Sequence, residues 1–247
     1  MQAIVANVLL HPAVPGEHIS QYTPFLEADK TWDKVDEGGF DKNQKALGRL
    51  AFNSHLLPEM TSLSARPDNK AVYVVRNGRD VCTSFYHHLK NQRGSGGDFG
   101  EDFASFVSLW CAGTLPYGFW LDHVLRWLAE QAARPEQVLV VRYRDLKQGL
   151  PACIERISRF LLERPLDMEA ARQMEPRLCF SGMQGAVDIY QPASVEWAPG
   201  FCFIREGAEG AAFDAACEAV YQKMLQERLL GVSPDLLVAL NALDITI

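Results

Sequence analysis

From residue 70 onward, short apolar runs alternate with longer stretches in which apolar positions recur every three or four residues. The short runs at 70–75 and 137–141 are rich in Val and predict buried strands. The longer stretches predict helices over 81–90, 101–112, 118–133, 151–162, 167–175 and 211–229. This alternation of strand and helix predicts an α/β fold, with a parallel sheet and crossover helices. Ile4, Val5, Val8 and Leu9 share a helical spacing, so the first residues also read as helix. Residues 11–49 carry several Pro and Gly and little periodicity, which suits a long irregular segment covering a site. The Gly-rich stretch 93–98 reads as a mobile loop, and the chain has no internal repeat.

Composition narrows the class of ligand. A chain of 247 residues, 48% of them hydrophobic, is long enough for one sizeable core, and a single domain over 1–247 is expected. The formal charge of −7 offers no overall attraction for nucleic acid or an anionic membrane, so an anionic ligand must be held by a local basic site. Composition therefore points to a small-molecule protein with no nucleic-acid partner and no membrane partner. The six cysteines are spread along the chain without a CxxC spacing and read as reduced core residues. No stretch reaches the roughly 18 apolar residues of a membrane span. The expectation is a soluble, cytoplasmic protein that uses no metal.

The candidate chemistry lies in Tyr73-Val-Val-Arg-Asn-Gly-Arg-Asp-Val-Cys-Thr-Ser84. A buried strand ending at Val75 delivers Arg76 to its carboxyl edge, where open α/β sheets place their ligands. Asp80 is placed to cap the following helix, and Ser84 lies in its first turns, so a guanidinium and a hydroxyl converge beside a helix N-terminus. Such a site suits a phosphate. By pattern alone, solvated turn arginines and an ordinary helical Ser84 fit equally well.

The segment resembles the nucleotide-binding stretch of sulfotransferases, in which a strand ending in Val-Arg-Asn leads through a basic residue and Asp to a Ser eight residues after the Arg. The resemblance implies that Arg76 and Ser84 hold the 3′-phosphate of the sulfate donor, 3′-phosphoadenosine 5′-phosphosulfate. It continues in consistent order over residues 1–230. Asn53-Ser54-His55-Leu56 is similar to the family's Lys-Thr-His-Leu, which makes His55 the candidate catalytic base. Val141-Arg-Tyr-Arg-Asp-Leu-Lys147 is similar to Tyr-Glu-Asp-Met-Lys and gives Tyr143 a contact with the adenine end. Leu178-Cys-Phe-Ser-Gly-Met183 resembles Thr-Ser-Phe-Lys-Glu-Met, which places Phe180 on the adenine with Met183 beside it. Phe201-Cys-Phe-Ile-Arg-Glu-Gly207 resembles the Phe-Met-Arg-Lys-Gly loop that closes on the 3′-phosphate, with Arg205 and Gly207 matching. Pro24-Phe-Leu-Glu27 and Tyr117-Gly-Phe-Trp120 also match, and the resemblance implies that Phe25, Tyr117 and Phe119 line the acceptor pocket.

The family fold is three-layered and similar to P-loop NTPases, with a central, mostly parallel sheet and helices on both faces. Its opening strand and Pro-Lys-Ser-Gly-Thr-Thr-Trp loop, which cradles the 5′-phosphosulfate, have no counterpart within residues 1–247, so the first strand of the fold is expected to be missing. The family Lys before the catalytic His is Asn53, and the Lys of the closing loop is Glu206. The segments of the family dimer contact also lack counterparts, which leaves the oligomeric state open, and 231–247 matches nothing in the family. Two functions are compatible with this pattern. One is sulfuryl transfer to a hydroxyl or amine of a small-molecule acceptor. The other is a nucleotide-binding relative that keeps the 3′-phosphate and adenine contacts without transfer. A P-loop kinase is disfavoured because no GxxxxGK[ST] element is present.

Overall fold

The computed structural model describes residues 1–27, 43, 45–94, 99–192, 195–205, 207 and 210–245. Residues 28–42 and 44 of the expected irregular segment, residues 95–98 of the Gly-rich loop and Glu206 lie outside the described residues. In chain order the principal elements are α1 (Gln2–Leu10), β1 (Ala71–Val75), α2 (Gly78–Asn91), α3 (Phe103–Cys111), α4 (Trp120–Ala133), β2 (Val138–Arg142) and α5 (Tyr143–Gln148). They continue with α6 (Leu150–Leu161), α7 (Met168–Leu178), α8 (Phe180–Gly185), α9 (Ala215–Leu229) and α10 (Pro234–Ala242). These residues group into two compact units. The first comprises Met1–His55, Asp145–Glu196 and Cys202–Gly207; the second comprises Leu56–Arg144, Trp197–Phe201 and Ala208–Ile247.

In the second unit β1 and β2 pair in parallel, from Ala71 opposite Val138 to Val75 opposite Arg142. Val138, Val140 and Val141 are all buried, which explains why the run is uniformly apolar rather than alternating. The connection between the strands runs through α2, α3 and α4, as a parallel pairing demands. Gln137 secures the approach to the sheet, since its side-chain amide reaches the carbonyls of Leu63, Arg66 and Asn69 at 3.0, 2.8 and 3.0 Å. Tyr73 of β1 stacks on Trp127 of α4, with its hydroxyl 3.0 Å from His123 Nδ1. Burial pushes the Tyr73 phenol well above its ordinary pKa. Phe106, Val107, Leu121, Val124 and Tyr221 fill the core where α3, α4 and α9 meet. The α/β expectation and its parallel strands hold.

In the first unit α1 packs on α6 and α7. Asn7 is buried there but satisfied: its amide donates to the Ala3 carbonyl, and its oxygen accepts Arg177 Nε–H at 2.7 Å. α7 runs to Leu178, beyond the predicted end at 175. Pro176 removes one backbone donor, yet Ala171, Met174 and Leu178 continue the buried face across it. α10 was not predicted at all. Ser233 caps it, Pro234 occupies its first turn and Leu240 is buried. Among the described residues no helix is long and apolar enough to cross a membrane. All six cysteines carry free thiols; Cys179 and Cys202 are only partly buried, unlike the other four.

Candidate functional site

The parallel register creates the central feature of the second unit. Val75 and Arg142 end the ladder opposite each other, so the next residues, Arg76 and Tyr143, leave the sheet side by side. The Arg76 guanidinium lies over the Tyr143 ring, 4.4 Å from its centroid. Arg76 Nε is 3.5 Å from a carboxylate oxygen of Asp80, one helical turn on, and that side chain is only 4% exposed. The other Asp80 oxygen accepts the Ala211 backbone N–H at 2.8 Å. Asp80 therefore pairs with Arg76 rather than capping α2. The cap is Asn77, whose side-chain oxygen accepts the Arg79 N–H at 2.9 Å, because Asn77 has the extended backbone an N-cap needs. Ser84 is exposed, four residues beyond Asp80 and so on the same stripe of α2.

Arg79 turns away from this cluster. Its guanidinium makes two bonds to Glu218, at 2.9 and 2.5 Å, and lies 4.6 Å from the centroid of the buried Tyr221 ring. The bonds from Arg79 hold the Glu218 carboxyl down at about 2. Arg79 is thus a structural residue.

A cleft of about 120 Å³ opens at these strand ends, lined by Arg76, Asp80, Arg142, Tyr143, Arg144 and Asp244 among others. Three guanidiniums face two carboxylates there, so the cleft is locally positive within an acidic chain. A larger open groove, about 410 Å³, runs past Thr83, Tyr86, His87 and Phe103 without such a cationic cluster.

Elsewhere in the second unit, Tyr117 is 53% exposed and holds a left-handed backbone, φ 73°. Phe119 is sandwiched: a Cβ on Gly113 would come within 2.7 Å of its ring, and the Arg228 guanidinium lies 3.4 Å from its centroid.

The first unit holds the remaining predicted residues in two groups. Phe25 bridges to Asn53 in parallel, with Leu26 donating to the Asn53 carbonyl and Asn53 to the Pro24 carbonyl, both at 2.8 Å. That bridge brings the Phe25 ring edge-on to the His55 imidazole, 5.5 Å between centroids. Glu27 completes the group: one carboxylate oxygen accepts the His55 backbone N–H at 2.6 Å and the Ser54 hydroxyl at 3.1 Å. His55 itself is exposed.

In the second group, the Lys147 ammonium sits 4.6 Å from the Phe180 ring centroid. Gly207, at φ 58°, passes so close that an added Cβ would lie 2.7 Å from Phe180 and 2.8 Å from Lys147 Nζ. Only Gly fits there. Gln184 of α8 secures the same loop by donating to the Ile204 carbonyl at 3.1 Å. Arg205 is exposed, and Met183 is half-buried on α8. Glu27 and Lys147 carried no predicted role, although both lie within the matched segments Pro24–Glu27 and Val141–Lys147.

These features define an α/β protein with an arginine-rich cleft, lined by Tyr143, at the carboxyl ends of two parallel strands. Residues 3–196 match the model of the sulfotransferase domain, and the chain belongs to the sulfotransferase family. It is similar to Sulfotransferase 2A6 of Rattus norvegicus, 27% identical over 227 residues that cover 86% of this chain and 72% of that protein. It is also similar to Sulfotransferase 2B1 of Homo sapiens, 28% identical over 79% of this chain, and spans only 55% of that protein. Among solved structures, retinol dehydratase in a complex with retinol and PAP shares the fold at a TM-score of 0.69 and 19% identity, covering 94% of this chain and 77% of that one. Mouse sulfotransferase SULT7A1 complexed with PAP does so at 0.62 and 24%, covering 79% and 71%.

Proposed function

We propose that this chain binds 3′-phosphoadenosine 5′-phosphosulfate and passes its sulfuryl group to a hydroxyl or amine of a small-molecule acceptor. The observation that carries the reading is Arg76 laid over Tyr143 at the ends of adjacent parallel strands, in a member of the sulfotransferase family. A guanidinium, an aromatic face and a helix N-terminus are the donor set that fits a phosphate and a purine. Arg76 and Ser84 hold the 3′-phosphate, and Tyr143, Phe180 and Met183 contact the adenine. Arg205 and Gly207 form the closing loop, with Gly207 fitted against Phe180.

The donor supplies the sulfuryl group; the protein supplies binding and a base. His55 removes the proton from the acceptor oxygen or nitrogen as that atom attacks sulfur, and the bond from sulfur to the nucleotide phosphate breaks. Glu27 fixes the backbone that presents this imidazole, through its bonds to Ser54 and His55. Phe25, Tyr117 and Phe119 supply aromatic surface for the acceptor. On the same reading the protein works in the cytoplasm.

The test is transfer of labelled sulfate from the donor to a panel of phenols, alcohols and amines, run beside calorimetric binding of adenosine 3′,5′-bisphosphate. His55→Ala is expected to abolish transfer while leaving nucleotide affinity within about twofold. A wild-type chain that binds the bisphosphate and transfers nothing makes it a nucleotide-binding protein, and the enzymatic reading fails.

A further inference from the structure

Part of the cleft is built by residues that the family resemblance does not cover. Leu243, Asp244 and Ile245, just past α10, line it together with Arg76, Arg142 and Tyr143. The Asp244 carboxylate is paired with Arg144 at 2.7 Å. The Ile245 carbonyl accepts the backbone N–H of Gly78, the first residue of α2, at 3.2 Å. The Ile245 side chain is buried, at 3% exposure, which pins the segment in place. Asp244 adopts φ 52°, a left-handed conformation that Asp tolerates better than most side chains. A guanidinium and a helix N-terminal amide are the two kinds of group that receive phosphate oxygens, and here a carboxylate and a carbonyl of the chain occupy one of each. Arg144 stands where the family segment Tyr-Glu-Asp-Met-Lys has Glu, so both members of the pair are departures from the family pattern.

Size points the same way. With Leu243–Ile245 in place the cleft measures about 120 Å³, whereas pockets that enclose a drug-sized ligand run to roughly 300–1,000 Å³. The ion pair that holds Asp244 on Arg144 is weak, because it is exposed on both sides, 43% for Arg144 and 55% for Asp244.

We infer that Arg144 is a further phosphate-binding residue of this cleft and that Asp244 is its built-in competitor, so that nucleotide binding displaces Leu243–Ile245. The inference rests on the nucleotide reading above. Asp244 and the ligand's phosphate compete for one guanidinium, and the strap sets the affinity threshold that the nucleotide must exceed.

Calorimetry with adenosine 3′,5′-bisphosphate tests it on the full chain. Asp244→Asn and Asp244→Gly, the second suited to the left-handed backbone, are each expected to bind about two- to fivefold tighter than wild type. Arg144→Gln is expected to bind about tenfold weaker, and adding Asp244→Asn to it should change nothing further. Hydrogen exchange supplies an independent readout: peptides spanning 243–245 should exchange faster when the bisphosphate is saturating. Unchanged affinity in both Asp244 variants, with a tail as protected as before, overturns the strap and leaves the nucleotide site standing. No binding in wild type or any variant overturns both.

Discussion

Removing Arg76 should damage the protein in two separable ways. Its guanidinium is 3.5 Å from an Asp80 carboxylate that is only 4% exposed, a gross attraction of about 5 kcal/mol at an effective dielectric constant of 20. Breaking a buried pair from one side costs about 3–5 kcal/mol, chiefly because the remaining charge is left buried. Asp80 keeps the Ala211 N–H and Arg76 is 20% exposed, so the expected loss for Arg76→Ala is smaller, about 2–3 kcal/mol. For a chain of this length that corresponds to a drop of roughly 5–10 °C in Tm. Adding Asp80→Asn removes the stranded charge while keeping an acceptor for Ala211, and should restore most of the lost stability. Nucleotide binding should not return, because the phosphate contact, about 1.5–3 kcal/mol or at least tenfold in affinity, needs the guanidinium itself. Thermal unfolding by circular dichroism and calorimetry with the bisphosphate measure the two effects on the same samples. A double variant as unstable as Arg76→Ala would refute the electrostatic account of the pair, and undiminished binding in either variant would refute the phosphate assignment.

The core around Tyr221 offers a prediction of opposite sign. Its hydroxyl is buried without a hydrogen-bond partner among the described residues, so Tyr221→Phe should stabilise the protein by about 1 kcal/mol, or raise Tm by roughly 2–4 °C; a lower Tm would show that the hydroxyl is satisfied in solution. Gly78→Ala should destabilise by about 1–3 kcal/mol, because its Cβ would meet that hydroxyl at 2.5 Å and the Trp120 ring at 2.8 Å, and Tyr221→Phe should recover part of the loss in denaturant titrations. The depressed pKa of Glu218, about 2 against an ordinary 4.5, means that its pairing with Arg79 stabilises the fold above pH 4.5 and fades as pH falls toward 2. Glu218→Gln should therefore be less stable than wild type at neutral pH, by about 1 kcal/mol for a carboxylate that is 34% exposed, with most of the difference gone near pH 2. An undiminished difference at pH 2 would exclude that linkage.

The elements were legible wherever hydrophobic periodicity is local. Val-rich runs became β1 and β2, because β-branched residues favour the extended backbone, and the amphipathic stretches became α2, α3, α4, α6 and α9, because burial of one helix face selects a period of 3.6. The matched segments also mark Arg76, Tyr143, His55, Phe180 and Gly207 as candidate site residues. α10 was missed despite its Ser-Pro start, since no family pattern extends that far. The choice of Asn77 over Asp80 as the cap of α2 was not legible either. Both are good capping residues, and only the extended backbone at Asn77 distinguishes them.

What the residue order could not specify is which polar groups meet. Arg76 reaches Tyr143 only because the parallel register ends both strands at the same level. Glu27 holds the backbone of His55, Lys147 lies over Phe180 beside Gly207, and Asp244 holds Arg144 across a hundred residues of chain. Such contacts leave no periodic trace. Their energy depends on distance and burial in three dimensions, which the tertiary fold sets, whereas helix and strand arise from nearest-neighbour stereochemistry already written in each segment.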